Sequence, residues 1–437
     1  MSPRLHPLRL LGSFFCALIS CSVLAAPATN DYHARVERIL AQTPLIDGHN
    51  DLPWEIRMRA HGSFSQLDLA SDTSHIAVSA GAGSYMTDIP RLRAGHVGGQ
   101  FWSVWIPVEV KGALAVQTTL EQIDIVKRMA NRYPTAFEMA YTAADIKRIH
   151  QAHKVASLIG IEGGHQINNS LAVLRQMYDL GARYMTLTHT SNTDWADAAT
   201  DNPVHNGLTP FGISVIHEMN RLGMLVDLSH VSPQTMRAAL SATAAPVIFS
   251  HSSARTLVDH PRNVPDDILS LVATNGGVVM VNFNPGYVSQ ELAQWEADLA
   301  AEKTRYSSPP YDGLYIGQPD RAQVALNRWL EAHPKPVSTL AEVADHIEHL
   351  RDVAGINHVG LGSDFDGITE TPQGLSGVDR FPALLEELLR RGWTDADVAK
   401  IAGANLLRVL SVTEQVALSL RSTQAPTEDT LDIPRLH

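Results

Sequence analysis

Cysteine is nearly missing from this 437-residue chain, which has only Cys16 and Cys21. Two thiols so close to the N-terminus exclude a disulfide-stapled scaffold and a thiolate metal site in the body of the chain. Basic charge is also short: 34 Lys and Arg face 46 Asp and Glu, for a formal net charge of −12. Such a chain repels phosphate overall, which argues against a nucleic-acid partner. Three catalytic motifs are missing as well. Without G-x-G-x-x-G, G-x-S-x-G or H-E-x-x-H, neither dinucleotide binding, a serine-hydrolase elbow nor a helical zinc-protease site has support. What is present is a globular balance, 44 % hydrophobic and 18 % charged, with 20 histidines. Any metal site must be built from His, Asp and Glu.

The N-terminus reads as a targeting segment. Residues 1–9 carry Arg4 and Arg9 and no acid, and the apolar run LLGSFFCALISCSVLAA follows. That run is too short to span a bilayer comfortably. Small residues before Ala26 suit cleavage after Ala25, so residues 1–25 are expected to be an export signal. The mature protein would then be periplasmic or extracellular. LISC ending at Cys21 also fits a lipoprotein signal, with Cys21 lipidated. The C-terminal LDIPRLH carries no hydrophobic tail, so no transmembrane helix is expected in the mature chain.

Eight short apolar runs alternate with helical stretches: 44–49, 104–108, 155–162, 184–189, 224–230, 246–251, 277–283 and 358–364. The later runs are rich in β-branched residues, as in strands buried on both faces. Segments such as SLAVLRQMYDLG, TPFGISVIHEMNRLG and TLAEVADHIEHLRDVAG show helical spacing, start on Ser or Thr and stop at Gly. The pattern predicts an α/β fold, a single (β/α)8 TIM-type barrel over 26–412, with residues 413–437 as a tail. Two long connections, 53–100 and 284–338, would lie at the C-terminal face of the strands, where loops this long are usually functional. Within the second, YSSPPYDGLYIGQPD is expected to be irregular.

The informative regularity is what closes the runs. His49-Asn50-Asp51, Glu162, His189, His230, His251 and Asp364 each end a predicted strand. Taken singly, each has an ordinary explanation as a loop, cap or core residue. A barrel brings all these ends to one face, where active sites form. His49 and Asp51, two apart on extended chain, can offer one nitrogen and one oxygen to the same ion. The two oxygens of Glu162 can bridge two ions. Imidazole with carboxylate suits Zn, Mn or Fe(II). Two ions about 3.5–4 Å apart would make a bridging hydroxide able to attack an amide carbonyl. Asp364 could accept the water's proton and pass it to the leaving amine.

Read together, LIDGHNDLPW, IEGGHQ, TLTHTSNTDWAD, DLSHVS, FSHSSAR, RNVPDDIL, VNFNPGYV, GSDFDG and GANLLRV resemble the membrane dipeptidase family, from about residue 40 to about residue 412. The resemblance implies a zinc dipeptidase on an amidohydrolase-related barrel with two Zn2+ per chain. It implies His49 and Asp51 as ligands of the first zinc, Glu162 as the bridge, and His230 and His251 as ligands of the second. His189 would stabilise the tetrahedral intermediate, Arg262 would bind the dipeptide's carboxylate, and Asp364 would be the acid/base. Tyr287 and Asn50 are further substrate-contact candidates. Animal members carry disulfides, one of them between subunits, and a C-terminal lipid anchor. This chain matches neither, so a homodimer would be non-covalent. Two other functions share the residues: a binuclear amidohydrolase acting on a cyclic amide such as a lactam, and a dipeptide-binding protein without catalysis.

Overall fold

The computed structural model describes residues 1–3, 31–79, 82–306 and 313–431. The chain divides into two compact units, Met1–Asp31 and Tyr32–His437. The apolar run expected to be part of an export signal, its expected cleavage point and both cysteines lie outside the described residues.

The second unit is a closed parallel barrel. Its strands are β1 (Leu45–Asn50), β2 (Val97–Trp105), β3 (Val155–Glu162), β4 (Ala182–Thr186), β5 (Leu225–Asp227), β6 (Ile248–Phe249), β7 (Val278–Val281) and β8 (Val359–Leu361). Each strand pairs in parallel with the next in the chain, and β8 pairs with β1 to close the ring. This is the expected (β/α)8 barrel. The strands are short apolar runs covered by side chains on both faces; every residue of β1, β3 and β7 is buried. A further short strand, Phe137–Met139, pairs with the start of β3.

The helices begin where the sequence places caps. Ser170, Thr209, Ser232 and Thr339 each accept a backbone N–H of the first turn, satisfying a donor that has no partner within the helix. Gly223 and Gly276 end their helices in the left-handed conformation.

Three features depart from the sequence reading. The second strand is Val97–Trp105 and not 104–108. A Cβ at Gly98 would sit 2.7 Å from a Pro44 carbon and 2.8 Å from His150 Nδ1. Gly98 is there so that neighbouring segments can approach the backbone. The 284–338 connection is largely regular, holding helices Gln290–Arg305 and Pro319–Ala332. Residue 412 falls inside the helix Asn405–Thr423. Beyond that helix the chain stays docked: Arg175 donates to the Thr427 carbonyl, and Thr427 N–H to Glu218, both at 3.1 Å. Among the described residues no helix is long and apolar enough to cross a membrane.

Inside the barrel, a Cβ at Gly160 would lie 2.0 Å from the Tyr184 ring. Gly160→Ala is therefore expected to lower unfolding free energy by about 3 kcal/mol through overpacking, measured by denaturant unfolding. Unchanged stability would show that the ring can move aside.

Candidate metal centre

Two buried carboxylates set the frame for the site. Asp47, inside β1, accepts Ser363 N–H and Ser363 Oγ–H at 2.7 Å each, and Gln100 Nε2 at 2.9 Å. It thereby ties β1 and β2 to the loop after β8. Burial still pushes its pKa up to about 6. Asp227, at the end of β5, accepts Thr186 Oγ1 at 2.5 Å, Ser250 Oγ at 2.6 Å and Ser250 N–H at 2.8 Å. It joins the ends of β4, β5 and β6. Each buried carboxylate is thus held by several donors, as a buried charge requires.

The predicted ligands converge above this frame. His49 Nε2 lies 3.3 Å from both Asp51 Oδ2 and Glu162 Oε2. The other oxygen of Glu162 faces His230 Nε2 at 2.9 Å, His251 Nε2 at 3.3 Å and His189 Nε2 at 3.7 Å. Ser103 Oγ donates to Glu162 Oε2 at 3.1 Å. Three groups have atoms close enough to hold an ion: His49, Asp51 and Glu162; Glu162, His189 and His230; and His49, His251 and Asp364. His189 and Asp364 therefore stand nearer the ligand positions than the sequence reading placed them.

The outer ring nitrogens are held from behind. His49 Nδ1 and the Tyr184 hydroxyl are 2.8 Å apart, and the hydroxyl donates to the Gly48 carbonyl at 3.3 Å. His251 Nδ1 is 2.8 Å from Ser250 Oγ, which in turn donates to Asp227. Such backing turns Nε2 into the site and fixes the tautomer. His230, Asp364 and Asp366 take the left-handed backbone conformation, with φ of 67°, 65° and 63°.

The electrostatics suit cation binding. Burial works against charge on Glu162, but His49, His189, His230 and His251 hold its carboxyl well below the usual range. Burial pushes His230 and His251 well below the ordinary imidazole value; the Arg262 charge adds to this in both, as does His49 at His251. Neutral imidazole is the form that ligates a metal. Burial pushes Asp364 up to about 7, with Asp51 and Glu162 adding to the shift against His49. His49 Nε2 is buried without a hydrogen-bond partner, between two carboxylates. That orphaned nitrogen fits a cation ligand, and so does the donor set.

The site opens into a cavity of about 350 Å³. Arg262 lines it and is 3 % exposed. Its Nη2 donates to the His251 carbonyl at 3.3 Å, while Nε and Nη1 are buried without a partner. Its guanidinium carbon lies 5.5 Å from the centre of the Tyr287 ring. Trp105, edge-on to His189 at 5.5 Å, and Trp54 line another part. Asn50 does not serve the cavity as expected. It is fully buried, its Nδ2 donates to Thr87 Oγ1, and its Oδ1 accepts Leu52 N–H. Asp47, Asp227, Tyr184 and Ser103 escaped the sequence reading. Their only signal was a polar residue inside an otherwise apolar run.

A profile of the family described as "Membrane dipeptidase (Peptidase family M19)" matches residues 33–424. Solved structures share the barrel. The probable dipeptidase PvdM from Pseudomonas aeruginosa is 24 % identical at a TM-score of 0.73, over 88 % of this chain and 99 % of that one. A metallo peptidase from Rhodobacter sphaeroides, liganded with a phosphinate mimic of the dipeptide L-Ala-D-Ala, is 21 % identical at 0.68, over 85 % and 99 %. An amidohydrolase from Pseudomonas aeruginosa is 20 % identical at 0.64, over 86 % and 98 %.

Proposed function

This chain belongs to the membrane dipeptidase family, peptidase family M19, and on that premise we propose that it is an exported, zinc-dependent enzyme hydrolysing the peptide bond of free dipeptides. One observation carries the reading. The two oxygens of Glu162 are divided between His49 on one side and His230 and His251 on the other, in the cavity that Arg262 also lines.

His49, Asp51 and Glu162 would hold one zinc, and Glu162, His230 and His251 the other. When bound, the pair supplies an acidified water and a Lewis acid for the scissile carbonyl. The protein's own residues do the rest. Arg262, with Nε and Nη1 unpaired, binds the substrate's terminal carboxylate through charge-assisted hydrogen bonds. Anchoring there sets how far the peptide carbonyl lies from the ligand cluster, which limits the substrate to two residues. His189, half-buried beside Glu162, donates to the carbonyl oxygen as charge develops on it. Asp364, whose Oδ2 accepts Asn282 Nδ2 at 3.0 Å, takes a proton from the attacking water and returns it to the leaving amine. Tyr287 lines the cavity with its ring beside the Arg262 guanidinium, where it would contact the substrate.

The test is metal analysis and a dipeptide panel on one purified sample. Two zinc ions per chain, turnover of several dipeptides, loss on chelation and recovery with zinc are expected. Turnover of lactams but not dipeptides would favour the cyclic-amide reading, and tight dipeptide binding without turnover would favour a binding protein. N-terminal sequencing of protein recovered from its native compartment should begin at Ala26, or be blocked at a lipidated Cys21. Arg262→Ala is expected to raise KM for dipeptides on the order of 10²-fold with a smaller change in kcat, since hydrogen bonds to a charged group are lost from substrate and product alike. Unchanged KM would remove Arg262 from the site.

A further inference from the structure

The helix Leu340–Ala354, which leads into β8, turns one stripe inward: Val343, His346, Ile347 and Leu350 are buried at helical spacing. His346, 1 % exposed, is the polar member of that stripe, and burying it requires partners for both ring nitrogens. Neither partner lies on its own helix. Nδ1 accepts Ala254 N–H at 3.0 Å, and Nε2 donates to the Val288 carbonyl at 3.0 Å. An N–H can only donate and a carbonyl can only accept, so the two partners fix the neutral Nε2–H tautomer. Burial pushes the ring's pKa down to about 4, which keeps it in that form.

Both partners belong to segments that carry cavity residues. Ala254 lies shortly after His251 in the loop that follows β6, and it pairs in parallel with Val264, just past Arg262. Val288 follows Tyr287 and ends the one-turn helix Pro285–Val288, which is too short to hold itself. The two segments also touch directly. Asn263 Nδ2 donates to the Tyr287 carbonyl at 2.9 Å, and the His260 and Tyr287 ring centres are 4.4 Å apart. Arg262 and Tyr287 therefore share one small platform, with the guanidinium carbon 5.5 Å from the ring centre. His346 does not line the cavity; it fastens both halves of that platform to the helix behind them.

We propose that His346 is a positioning residue for substrate binding: by fastening the loop after β6 to the helix Pro285–Val288, it fixes where Arg262 and Tyr287 receive the substrate's carboxylate relative to the ligand cluster. The assignment rests on the dipeptidase reading and adds to it a residue outside the cavity that governs how tightly a dipeptide is held.

Steady-state kinetics of metal-loaded protein on Ala-Ala test it, with His346→Leu and His346→Gln made alone and beside Arg262→Ala. His346→Leu removes both bonds. KM is expected to rise about tenfold, the size of a lost buried hydrogen bond, with kcat and metal content per chain close to wild type. His346→Gln carries one donor and one acceptor on a single amide and should raise KM by less. With Arg262→Ala already in place the rise should vanish, because residues that act through one another are not additive. A merely structural histidine would lower the active fraction, and so the apparent kcat, and leave KM alone. Unchanged KM in every variant that folds, a loss of metal or of kcat without a change in KM, or a rise of the same size beside Arg262→Ala overturns the assignment and leaves the dipeptidase reading standing. Wild-type protein that hydrolyses no dipeptide overturns both. Circular dichroism checks folding, and His346→Gln, which keeps polar atoms at the site, decides the matter if His346→Leu fails to fold.

Discussion

Glu162→Gln should lower kcat/KM for dipeptides by on the order of 10³-fold or more and empty at least one metal position. The substitution keeps the side chain's size and its bond from Ser103. It removes the negative charge that faces four imidazoles. It also replaces one acceptor oxygen by an NH2 that points at a ring nitrogen. Two cations held close together need a shared anion between them, and losing metal activation is worth several kcal/mol of transition-state stabilisation. Metal content per chain and dipeptide turnover, with circular dichroism to confirm folding, are the measurements. Two ions per chain and wild-type turnover in the variant would sink the bridging role.

Asp364→Asn separates two roles that lie close together in space. As a proton carrier, Asp364 contributes to kcat, so the variant should lose about 10² to 10⁴-fold in kcat and keep both metals. The geometry also lets Asp364 join His49 and His251 around an ion. If the variant instead loses an ion, Asp364 is a ligand and another group must move the proton. The bond from Asn282 Nδ2 to its Oδ2 can survive the change, so the fold at that loop should be preserved.

How much of this could be read beforehand depended on the kind of signal. VASLIGIE announced β3 because a short, mostly apolar run that stops at Gly163 and Gly164 reads as a buried strand. His49 and Asp51 followed from the two-residue repeat of extended chain. β2 begins well before the apolar run at 104–108, with Gly98 placed for the approach of Pro44 and His150 and Gly99 facing Ile46. The residues holding the ligands from behind were harder still. Asp47 reads as one polar residue in an apolar run, and its partner Ser363 lies 316 positions away. Tyr184 reads as an ordinary strand aromatic until His49 appears beside it. Arg262 alone looks like a surface ion-pair residue, yet it is buried with two nitrogens unpaired. Pairwise contacts of this reach are properties of the closed ring, which local pattern does not encode.

The seam of the barrel adds a matter of timing. β1 is the first strand of the ring and β8 the last, and their ends are sewn together by Asp364 N–H donating to the His49 carbonyl at 3.1 Å, Asp51 N–H to the Phe365 carbonyl at 2.9 Å, and Ser363 to Asp47. Some of the residues proposed for the chemistry, His49 and Asp51 on one side and Asp364 on the other, therefore flank the joint that closes the ring. A nascent chain released before residue 364 has no second side to that joint, and a chain not yet folded has no joint. On the roles proposed for these residues, a chain that stops short of residue 364 would lack its proton carrier and could not hydrolyse a dipeptide.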